Sequence, residues 1–424
     1  MPSARLARFS FMTPVFRIVI SILAILLCLL VGINSAKFGF SKLIGRYAVV
    51  AKSIPAAAEA VRIAPADADA HRALAVTFQN VQMYTEAERE LAVATTLRPK
   101  DDFLWLELGT ARDQIDNAEG ALFALDRAVE FAPYYAHTHW QRGNLRLRMG
   151  QTTEAFRELR EAAKSNHEYL PTLIDLAWGL SRGDVKVTEE SAGIDSTEER
   201  IAFARYLATR GKGPETYLQF QIVANSITDT QRRELVRHLI ANKEYRDAFA
   251  IWNKSLNENT GSQFNDGGFE DAITFDEAGF GWKVSRENSN LTLSVDTSDK
   301  DSGVRSLRVA YNGTSATNVA ILSQTIIVKP QQKYRISFSH KSNEIVSGGL
   351  PLISVTDLQS SQIVSKSKSL PQGSTAWQKQ SLEFVTSPLC EAIEVKLIRN
   401  ECQSTPCPIF GVIWLDSFLI EESK

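Results

Sequence analysis

Residues 66–99 read ADADAHRALAVTFQNVQMYTEAERELAVATTLRP, and their pattern returns in residues 100–133 and again in residues 134–167. The prolines Pro65, Pro99 and Pro133 set a period of 34 residues. With the proline at position 32, small residues occupy positions 8, 20 and 27, and leucine occupies position 24. In chain order these residues are Ala75, Ala87, Leu91 and Ala94, then Gly109, Ala121, Leu125 and Ala128, then Gly143, Ala155, Leu159 and Ala162. Small residues let two antiparallel helices approach closely, and proline ends the second helix. The sequence therefore predicts stacked helix pairs.

This period and its small-residue pattern resemble the tetratricopeptide repeat family. The resemblance is close over residues 66–167 and extends more weakly over about 52–255. Position 4, where the family has tryptophan, carries His71, Trp105 and His139. Arg112 and Arg146 stand where an aromatic side chain is usual. The resemblance implies an all-α helical-repeat solenoid, which we place at residues 50–256, with further helices near 197–210 and 215–226 and a last helix pair at about 229–255.

The family's concave groove implies a set of residues that contact a protein partner. Carried over to this chain, the groove is formed by Arg72, Gln79, Asn80, Phe103, Leu106, Thr110, Asp113, Gln114, Trp140, Asn144 and Arg148. Their mixture of apolar and hydrogen-bonding side chains suits an extended peptide or a helix. The alternative is that several of them are ordinary solvated or inter-repeat positions.

An uncharged apolar stretch, IVISILAILLCLLVGI, occupies residues 18–33. Sixteen helical residues span about 24 Å, and a few flanking residues complete a membrane crossing of about 30 Å. A cleaved signal peptide is the main alternative, and its small-residue exit signal is poor at Asn34 to Ala36. A buried core helix is a weaker alternative. We expect a cytoplasmic tail at residues 1–17 and one transmembrane anchor at residues 18–36.

Basic residues are nearly balanced on the two sides of this stretch, so the cysteines decide the orientation. Cys402 and Cys407 flank a turn-forming segment, and their spacing suits a disulfide that needs an oxidising compartment. Pairing of Cys390 with Cys402 is an alternative. We expect a single-pass inner-membrane protein whose N-terminus is cytoplasmic and whose bulk is periplasmic.

The apolar period falls from about 3.6 to 2 beyond residue 257. Alternating apolar residues mark three strands, and turn signals separate them at Asn312-Gly313, Lys329-Pro330 and Pro371-Gln372-Gly373. The apolar positions are Leu307, Val309 and Tyr311; Tyr334, Ile336 and Phe338; and Ile393, Val395 and Leu397. This pattern is typical of an antiparallel sandwich with one buried face per strand. The predicted fold is therefore multidomain: one N-terminal transmembrane helix, an all-α helical-repeat solenoid, and then an all-β sandwich.

A second resemblance rests on motifs in this order. They are Asn265-Asp-Gly-Gly-Phe-Glu270, Gly281-Trp282, Gly303 followed by Ser306-Leu-Arg-Val309, Tyr334 to Phe338, Trp377, and Ile413 to Asp416. They resemble jelly-roll carbohydrate-binding modules and related galactose-binding-like sandwiches, over residues 262–424. The resemblance implies a glycan or protein ligand.

Two site hypotheses follow from that second resemblance. A structural calcium ion is implied near Glu270 and Asp416, with Asp301 or Ser302 nearby, and the alternative is a metal-free hydrogen-bonded pair of chain ends. Sugar stacking is implied for Trp282, Trp377 and Trp414, although such positions are more often core. Phe275, Phe280 and Tyr311 have no better support as stacking residues.

The overall charge and the missing motifs narrow the function. The formal net charge of −2 gives no basic surplus for nucleic acid. The six histidines form no metal motif, and no phosphate-binding loop, nucleophile elbow or dinucleotide fingerprint is present. We therefore expect a non-enzymatic, membrane-anchored scaffold that binds protein through its repeats and glycan or protein through its sandwich, in a setting such as exopolysaccharide or cell-surface assembly. The alternatives are a purely protein-binding scaffold and a glycan-processing enzyme.

Overall fold

A computed structural model describes residues 14–253, 263–271, 279–284, 291–403 and 406–423. The chain forms two compact units. The N-terminal unit comprises Met1–Gly183 with Glu190–Gly193, and the C-terminal unit comprises Asp184–Glu189 with Ile194–Lys424.

The described part of the N-terminal unit is built of helices. They are α1 Pro14–Ala51, α2 Ile54–Ile63, α3 Ala68–Gln79, α4 Tyr84–Leu97, α5 Asp102–Gln114, α6 Ala118–Phe131, α7 Ala136–Arg148, α8 Thr152–Ser165 and α9 Leu170–Leu180. A short 3-10 helix, His167–Tyr169, precedes α9, and α10 spans Val185–Ala192 across the boundary between the units. The predicted helix pairs of the three close repeats are α3/α4, α5/α6 and α7/α8. The polar stretch at residues 188–196 is partly helical, because α10 extends to Ala192.

The small residues of the repeat lie where the two helices of a pair touch. A Cβ atom on Gly109 would lie 2.8 Å from Cγ of Leu125, and one on Gly143 would lie 2.7 Å from Cγ of Leu159. Position 8 of one helix is therefore in direct contact with position 24 of the next. A side chain larger than that of alanine at position 8 would push the pair apart, which explains why the repeat keeps a small residue there.

Histidine and tryptophan make the same hydrogen bond at position 4. The Trp105 indole Nε1 donates to the carbonyl oxygen of Pro99 at 3.0 Å. His71 Nε2 lies 3.0 Å from the carbonyl oxygen of Pro65, where it donates in the same way. A ring N–H at this position thus ties the first helix of each repeat to the end of the preceding repeat, and imidazole replaces indole without loss of the bond.

The two arginines that replace the usual aromatic residue connect successive repeats. Arg112 Nε donates to Glu88 Oε1 at 2.9 Å, from repeat two to repeat one. Arg146 lies 3.8 Å from Asp126 and donates to Gln151 at 2.8 Å. Polar bridges therefore take over a role that aromatic packing has elsewhere in such repeats.

Helix α1 runs without interruption from the apolar stretch into the repeat array. Its first part is apolar and exposed to solvent. Farther along, Ser41, Gly45 and Ala48 form a buried face against α2 and α3. The Ser41 hydroxyl donates to the carbonyl oxygen of Ala60 at 2.8 Å. The same helix is therefore both the candidate membrane segment and the first helix of the solenoid.

The C-terminal unit combines helices with two sheets. Its helices are α11 Thr197–Thr209, α12 Gly213–Val223, α13 Asp229–Ala241 and α14 Tyr245–Trp252. Its strands are β1 Lys283–Val284, β2 Leu291–Asp296, β3 Ser306–Thr314, β4 Leu322–Ile327, β5 Lys333–Ser347, β6 Pro351–Asp357, β7 Gln362–Lys366, β8 Gly373–Val385, β9 Ala392–Arg399 and β10 Pro408–Glu422.

The strands form an antiparallel sandwich of two five-stranded sheets. One sheet has the order β1-β4-β9-β6-β7, and the other has the order β2-β3-β10-β5-β8. All nine apolar positions that the sequence assigns to the inner face are buried in one core. The predicted turn at Asn312-Gly313 is wrong, because both residues pair with β10 inside the long strand β3.

Helix α14 packs on the sandwich within this unit. Phe280, at the entry to the sandwich, makes an edge-to-face contact with Phe249 at 5.0 Å and lies 5.8 Å from Trp252. Ile327, at the end of β4, packs against the same cluster. The last helix is therefore part of the surface that surrounds the first sheet.

Candidate functional site

Several predicted groove residues bind one another across repeats. The Arg72 guanidinium makes two 2.8 Å hydrogen bonds to Glu107 and lies 4.7 Å above the ring of Phe103. Arg148 pairs with Asp113. These contacts join repeat one to repeat two, and repeat two to repeat three. These side chains therefore link successive repeats to one another.

Other predicted groove residues divide into structural and available ones. Leu106 is buried in the core, and the Thr110 hydroxyl donates to its carbonyl oxygen at 3.0 Å. Trp140 stacks on Tyr169 at 4.7 Å. The side-chain amides of a third group make no hydrogen bond to another described residue. This group comprises Gln79, Asn80, Gln114 and Asn144. These amides are the groove positions that keep free hydrogen-bonding capacity.

Two of the three tryptophans that were candidates for stacking on sugar rings are buried. Trp282 lies in the core, stacked between Phe264 and Phe269 at 5.6 and 5.0 Å. Trp414 lies on the outer face of the second sheet, but it is only 8% exposed. Its indole donates to Asp296 at 2.8 Å, and the Lys341 ammonium lies 5.3 Å from its ring. Neither ring is a platform for sugar.

The remaining candidates for sugar stacking differ in exposure. Trp377 is half-buried on β8. Phe280 and Tyr311 are buried, and Phe275 lies outside the described residues. Among the described aromatic candidates, only Trp377 is therefore placed to offer part of its ring.

The outer face of the first sheet carries a polar arrangement that the sequence did not single out. Glu394 and Lys396 alternate with the core residues of the central strand β9, so their side chains lie on the opposite face. Lys396 Nζ lies 2.7 Å from Glu394 Oε2, and these side chains are 25% and 22% exposed. Four hydroxyl residues on the flanking strands are their direct cross-strand neighbours: Ser323 and Ser354 beside Lys396, and Thr325 and Thr356 beside Glu394. We name these six residues the hydroxyl face.

Tyr245 of α14 borders the hydroxyl face. It is buried, and burial together with the nearby charges of Glu394 and Asp357 raises the pKa of its phenol. Ile327, on the same side of β4 as Thr325, packs against the α14 cluster. The helix therefore forms one wall beside a strip of hydroxyls with an ion pair at its centre. The four hydroxyl residues are themselves buried, at 1–7% exposure, so a ligand would reach this strip chiefly through Glu394 and Lys396.

Glu270 and Asp416 come together at one corner of the sandwich. Asp416 is buried, and its Oδ2 accepts hydrogen bonds from the backbone N–H groups of Asp301 and Ser302 at 2.9 and 3.0 Å. Glu270 Oε1 accepts from Val304 N–H at 2.9 Å. A Cβ atom on Gly268 would lie 3.7 Å from Glu270 and 3.8 Å from Asp416.

This corner fits a hard cation in part. Glu270 Oε2 is buried and makes no hydrogen bond within the described part of the chain. No group of three or more His, Cys, Asp or Glu side chains among the described residues is placed to share a metal ion. A calcium ion at this corner would therefore need backbone carbonyls and water to complete its usual six to eight oxygen ligands.

A disulfide joins Cys402 to Cys407, and Arg399 holds the loop that contains it. The Arg399 side chain is fully buried. Its guanidinium donates to the carbonyl oxygens of Cys407 at 3.0 Å and Gly349 at 3.1 Å, and to that of Ser315 at 2.7 Å. Burial without a carboxylate partner lowers its pKa. One cation therefore fixes the chain at one end of the sandwich.

The packed face of α1 and the ion pair on β9 each have a signal in the sequence, whereas the positions of Arg399 and Tyr245 have none. The small residues Ser41, Gly45 and Ala48 recur at helical spacing, which indicates that the helix continues into a packed face. Glu394 and Lys396 occupy the polar positions of an alternating strand. By contrast, nothing local in the sequence marks Arg399 as buried, or Tyr245 as the neighbour of a sheet.

Comparison with known proteins supports the carbohydrate-binding resemblance for the sandwich. Residues 261–399 match the family described as carbohydrate binding domain. No curated protein matches the chain.

Three solved structures resemble the chain in part. A crystal structure of MamA protein is 16% identical, with 46% of this chain and 97% of that chain covered and a TM-score of 0.33. MamA from Desulfovibrio magneticus RS-1 is 17% identical, with 37% and 90% covered and a TM-score of 0.33. PilF of Pseudomonas aeruginosa is 16% identical, with 46% and 94% covered and a TM-score of 0.34. Likenesses this weak carry no functional argument.

Proposed function

We propose that this chain is a membrane-anchored scaffold that binds a glycan on its β-sandwich and a protein partner on its helical repeats, in the assembly of a polysaccharide or of the cell surface. The match of residues 261–399 to a carbohydrate binding domain carries the proposal. Helical repeats and carbohydrate-binding domains are binding modules, and a binding or scaffold role follows from them. Binding of a glycan, binding of a protein partner and a part in polysaccharide or cell-surface assembly are what we propose beyond that role.

The hydroxyl face is the surface that we assign to the glycan. Sugars present rows of hydroxyl groups, each of which donates and accepts hydrogen bonds. Glu394 and Lys396 supply charge-assisted bonds, which are stronger than neutral ones. The flanking serines and threonines are buried, so in this proposal the two charged side chains make the main contacts with the sugar. The surface uses hydrogen bonds rather than aromatic stacking, in agreement with the covered positions of Trp282 and Trp414.

Membrane anchoring is supported by α1. Within the described residues, α1 is the one helix long and apolar enough to cross a membrane, and a signal sequence near the N-terminus meets the same criteria. Because the helix continues without a break into the packed face at Ser41 and Ala48, a retained anchor would fix the repeats directly to the membrane. We place the N-terminus in the cytoplasm and the residues beyond the anchor in the periplasm, where the Cys402–Cys407 disulfide is stable.

We also propose a structural calcium ion at the Glu270–Asp416 corner. The buried, unpartnered Oε2 of Glu270 supports it, because a carboxylate oxygen without a hydrogen bond is costly to bury. In this arrangement Glu270 and Asp416 would hold the ion, which would tie the first part of the sandwich to its last strand.

The proposal is tested by capturing the full chain from native membranes after mild detergent extraction. We expect polysaccharide synthesis or export proteins to be recovered with it, and this recovery to fall when the repeats are removed. Recovery of other protein classes only, together with no retention on polysaccharide columns, would favour a purely protein-binding scaffold.

A further inference from the structure

A groove of about 590 Å³ lies between α1 and α3, at the anchor end of the solenoid. Its lining residues are Lys42, Gly45, Arg46, Val49, Val50, Asp69, Arg72, Ala73 and Val76. We name it the anchor groove. Its volume is within the range of ligand-binding clefts in proteins. Half of its wall comes from α1, which lies before the three close repeats and was not part of the predicted groove.

The floor of the anchor groove is apolar and narrow. Val49 of α1 and Val76 of α3 provide its side chains, and Gly45 keeps the two helices close. A Cβ atom on Gly45 would lie 3.0 Å from the Cβ of Ala73. The floor therefore accepts short apolar side chains from an extended segment.

The rim of the anchor groove is cationic. Its lining includes three basic side chains, Lys42, Arg46 and Arg72, and one carboxylate, Asp69. Asp69 is already bound to Lys42 at 3.1 Å and to Arg98 at 2.8 Å. Hydrogen bonds from these cations, led by Arg98, hold the pKa of Asp69 below its ordinary value, so it stays ionised and paired. It therefore does not neutralise the rest of the rim.

Arg46 is the free cation of this rim. It is exposed, and it forms no hydrogen bond or ion pair with any residue that the structure describes. Arg72, by contrast, is held by Glu107. An exposed guanidinium above an apolar floor matches a ligand that combines a carboxylate with apolar groups.

The position of the anchor groove along α1 indicates whether its ligand is a membrane lipid or a protein segment. Lys37 follows the apolar stretch, and Arg46 lies nine residues farther along the helix, or about 13 Å at 1.5 Å per residue. The headgroup layer extends about 5–8 Å beyond the hydrocarbon on each side. The Arg46 end of the anchor groove therefore lies beyond the lipid headgroups but within reach of a chain that leaves the same membrane.

We propose that the anchor groove binds an acidic, extended segment of a partner membrane protein, at the point where that segment leaves the bilayer. A carboxylate of the segment would pair with Arg46, and its short apolar side chains would contact Val49 and Val76. This inference rests on the proposed function and specifies the partner of the repeats.

The test is a selection of random twelve-residue peptides displayed on phage, with the full chain in detergent micelles as the target. We expect the selected peptides to be enriched in Asp and Glu separated by small apolar residues. The variant Arg46→Glu should lose this enrichment and select basic peptides. Lys52→Glu is the matched control, because Lys52 is exposed at the end of α1 and does not line the groove; it should select the same acidic peptides as the wild type.

Selected peptides without acidic enrichment, or an enrichment that Arg46→Glu leaves unchanged, would overturn the proposal. Displacement of the peptides by vesicles of phosphatidylglycerol, but not by phosphatidylcholine vesicles, would assign the groove to lipid instead and also overturn it. Failure of the selection is distinguishable from failure of the proposed function, because glycan binding by the sandwich does not depend on Arg46.

Discussion

The imidazole Nε2 of His139 lies 2.8 Å from the carbonyl oxygen of Pro133, six residues earlier in the chain. The other ring nitrogen, Nδ1, lies 2.8 Å from Glu158 Oε2. Because both nitrogens face acceptors, the doubly protonated ring satisfies both, and the hydrogen bond with Glu158 raises the pKa of His139. Histidine at position 4 is therefore an equivalent of tryptophan that also carries a titratable charge.

The first prediction concerns the shared hydrogen bond at this position. We expect His71→Trp to retain most of the stability of the chain, because the indole N–H can donate to Pro65 as Trp105 does to Pro99. His71→Phe lacks the donor, and we expect it to unfold more easily by about 1–2 kcal/mol. Urea unfolding followed by circular dichroism measures the difference. Equal stability of the two variants would show that the hydrogen bond contributes nothing.

The second prediction concerns the pH dependence of the His139–Glu158 pair. Burial opposes ionisation of Glu158, but hydrogen bonds from His139 and Arg142 hold its pKa at about 2, below the ordinary 4.5. The contribution of Glu158 to the free energy of unfolding is therefore present above pH 4.5 and is lost as the pH falls towards 2. The pKa of His139 is raised above 6.5, so its contribution is complete below that pH and is lost as the pH rises through the raised value.

The stability that this pair provides should thus be greatest between about pH 4.5 and 6.5. The difference in unfolding free energy between the wild type and Glu158→Gln, measured at each pH, isolates it. A difference that keeps growing above pH 7 would contradict the assignment.

The third prediction concerns His340 in the sandwich. This ring is buried, its Nδ1 makes no hydrogen bond to a described residue, and burial lowers its pKa. The folded state therefore keeps it neutral, and stability is lost as the pH falls below about 6.5, where the unfolded chain takes up the proton. We expect His340→Phe to raise stability by about 1 kcal/mol at pH 7 and to reduce the loss at pH 5. Thermal melts at both pH values are the measurement, and an unchanged acid sensitivity would count against the prediction.

The fourth prediction concerns Arg399. Replacing it with Met leaves the carbonyl oxygens of Ser315, Gly349 and Cys407 without the donors of this buried guanidinium. We expect a loss of about 3–5 kcal/mol, which is typical of breaking a buried polar network. Arg335→Met is the control, because Arg335 is exposed and its surface pair with Glu383 should contribute little to stability. Similar losses for both variants would contradict the role of Arg399.

The fifth prediction concerns calcium. If the ion binds at the Glu270–Asp416 corner, excess CaCl₂ over EDTA should raise the melting temperature of the wild-type sandwich. Glu270→Gln should abolish the increase without unfolding the protein, because the amide can still accept from Val304 N–H. No calcium effect on the wild type would leave the corner as a metal-free junction of the chain ends.

The fold could be predicted where the signal is local and periodic. The 34-residue period follows from contacts such as Gly109 with Leu125, which recur in every pair. The alternating strands follow from one buried face each. Asn312-Gly313 misled the prediction because cross-strand pairing with β10 overrides a local turn preference.

The site could be predicted less completely. Groove positions taken from the family include Arg72 and Leu106, which this chain uses for its own packing and ion pairs. Arg399, Tyr245 and the hydroxyl face depend on partners far away in the sequence. Only the three-dimensional arrangement brings those partners together, so no local pattern marks them.

Glycan binding by the sandwich is the central claim, and a polysaccharide array probed with residues 37–424 tests it most directly. This fragment keeps the packed part of α1 and omits the apolar stretch. We predict that it binds at least one class of polysaccharide, that Lys396→Met weakens this binding at least tenfold, and that Arg335→Met on the opposite sheet leaves it unchanged. No binding across a broad array, or equal binding by both variants, would contradict the account.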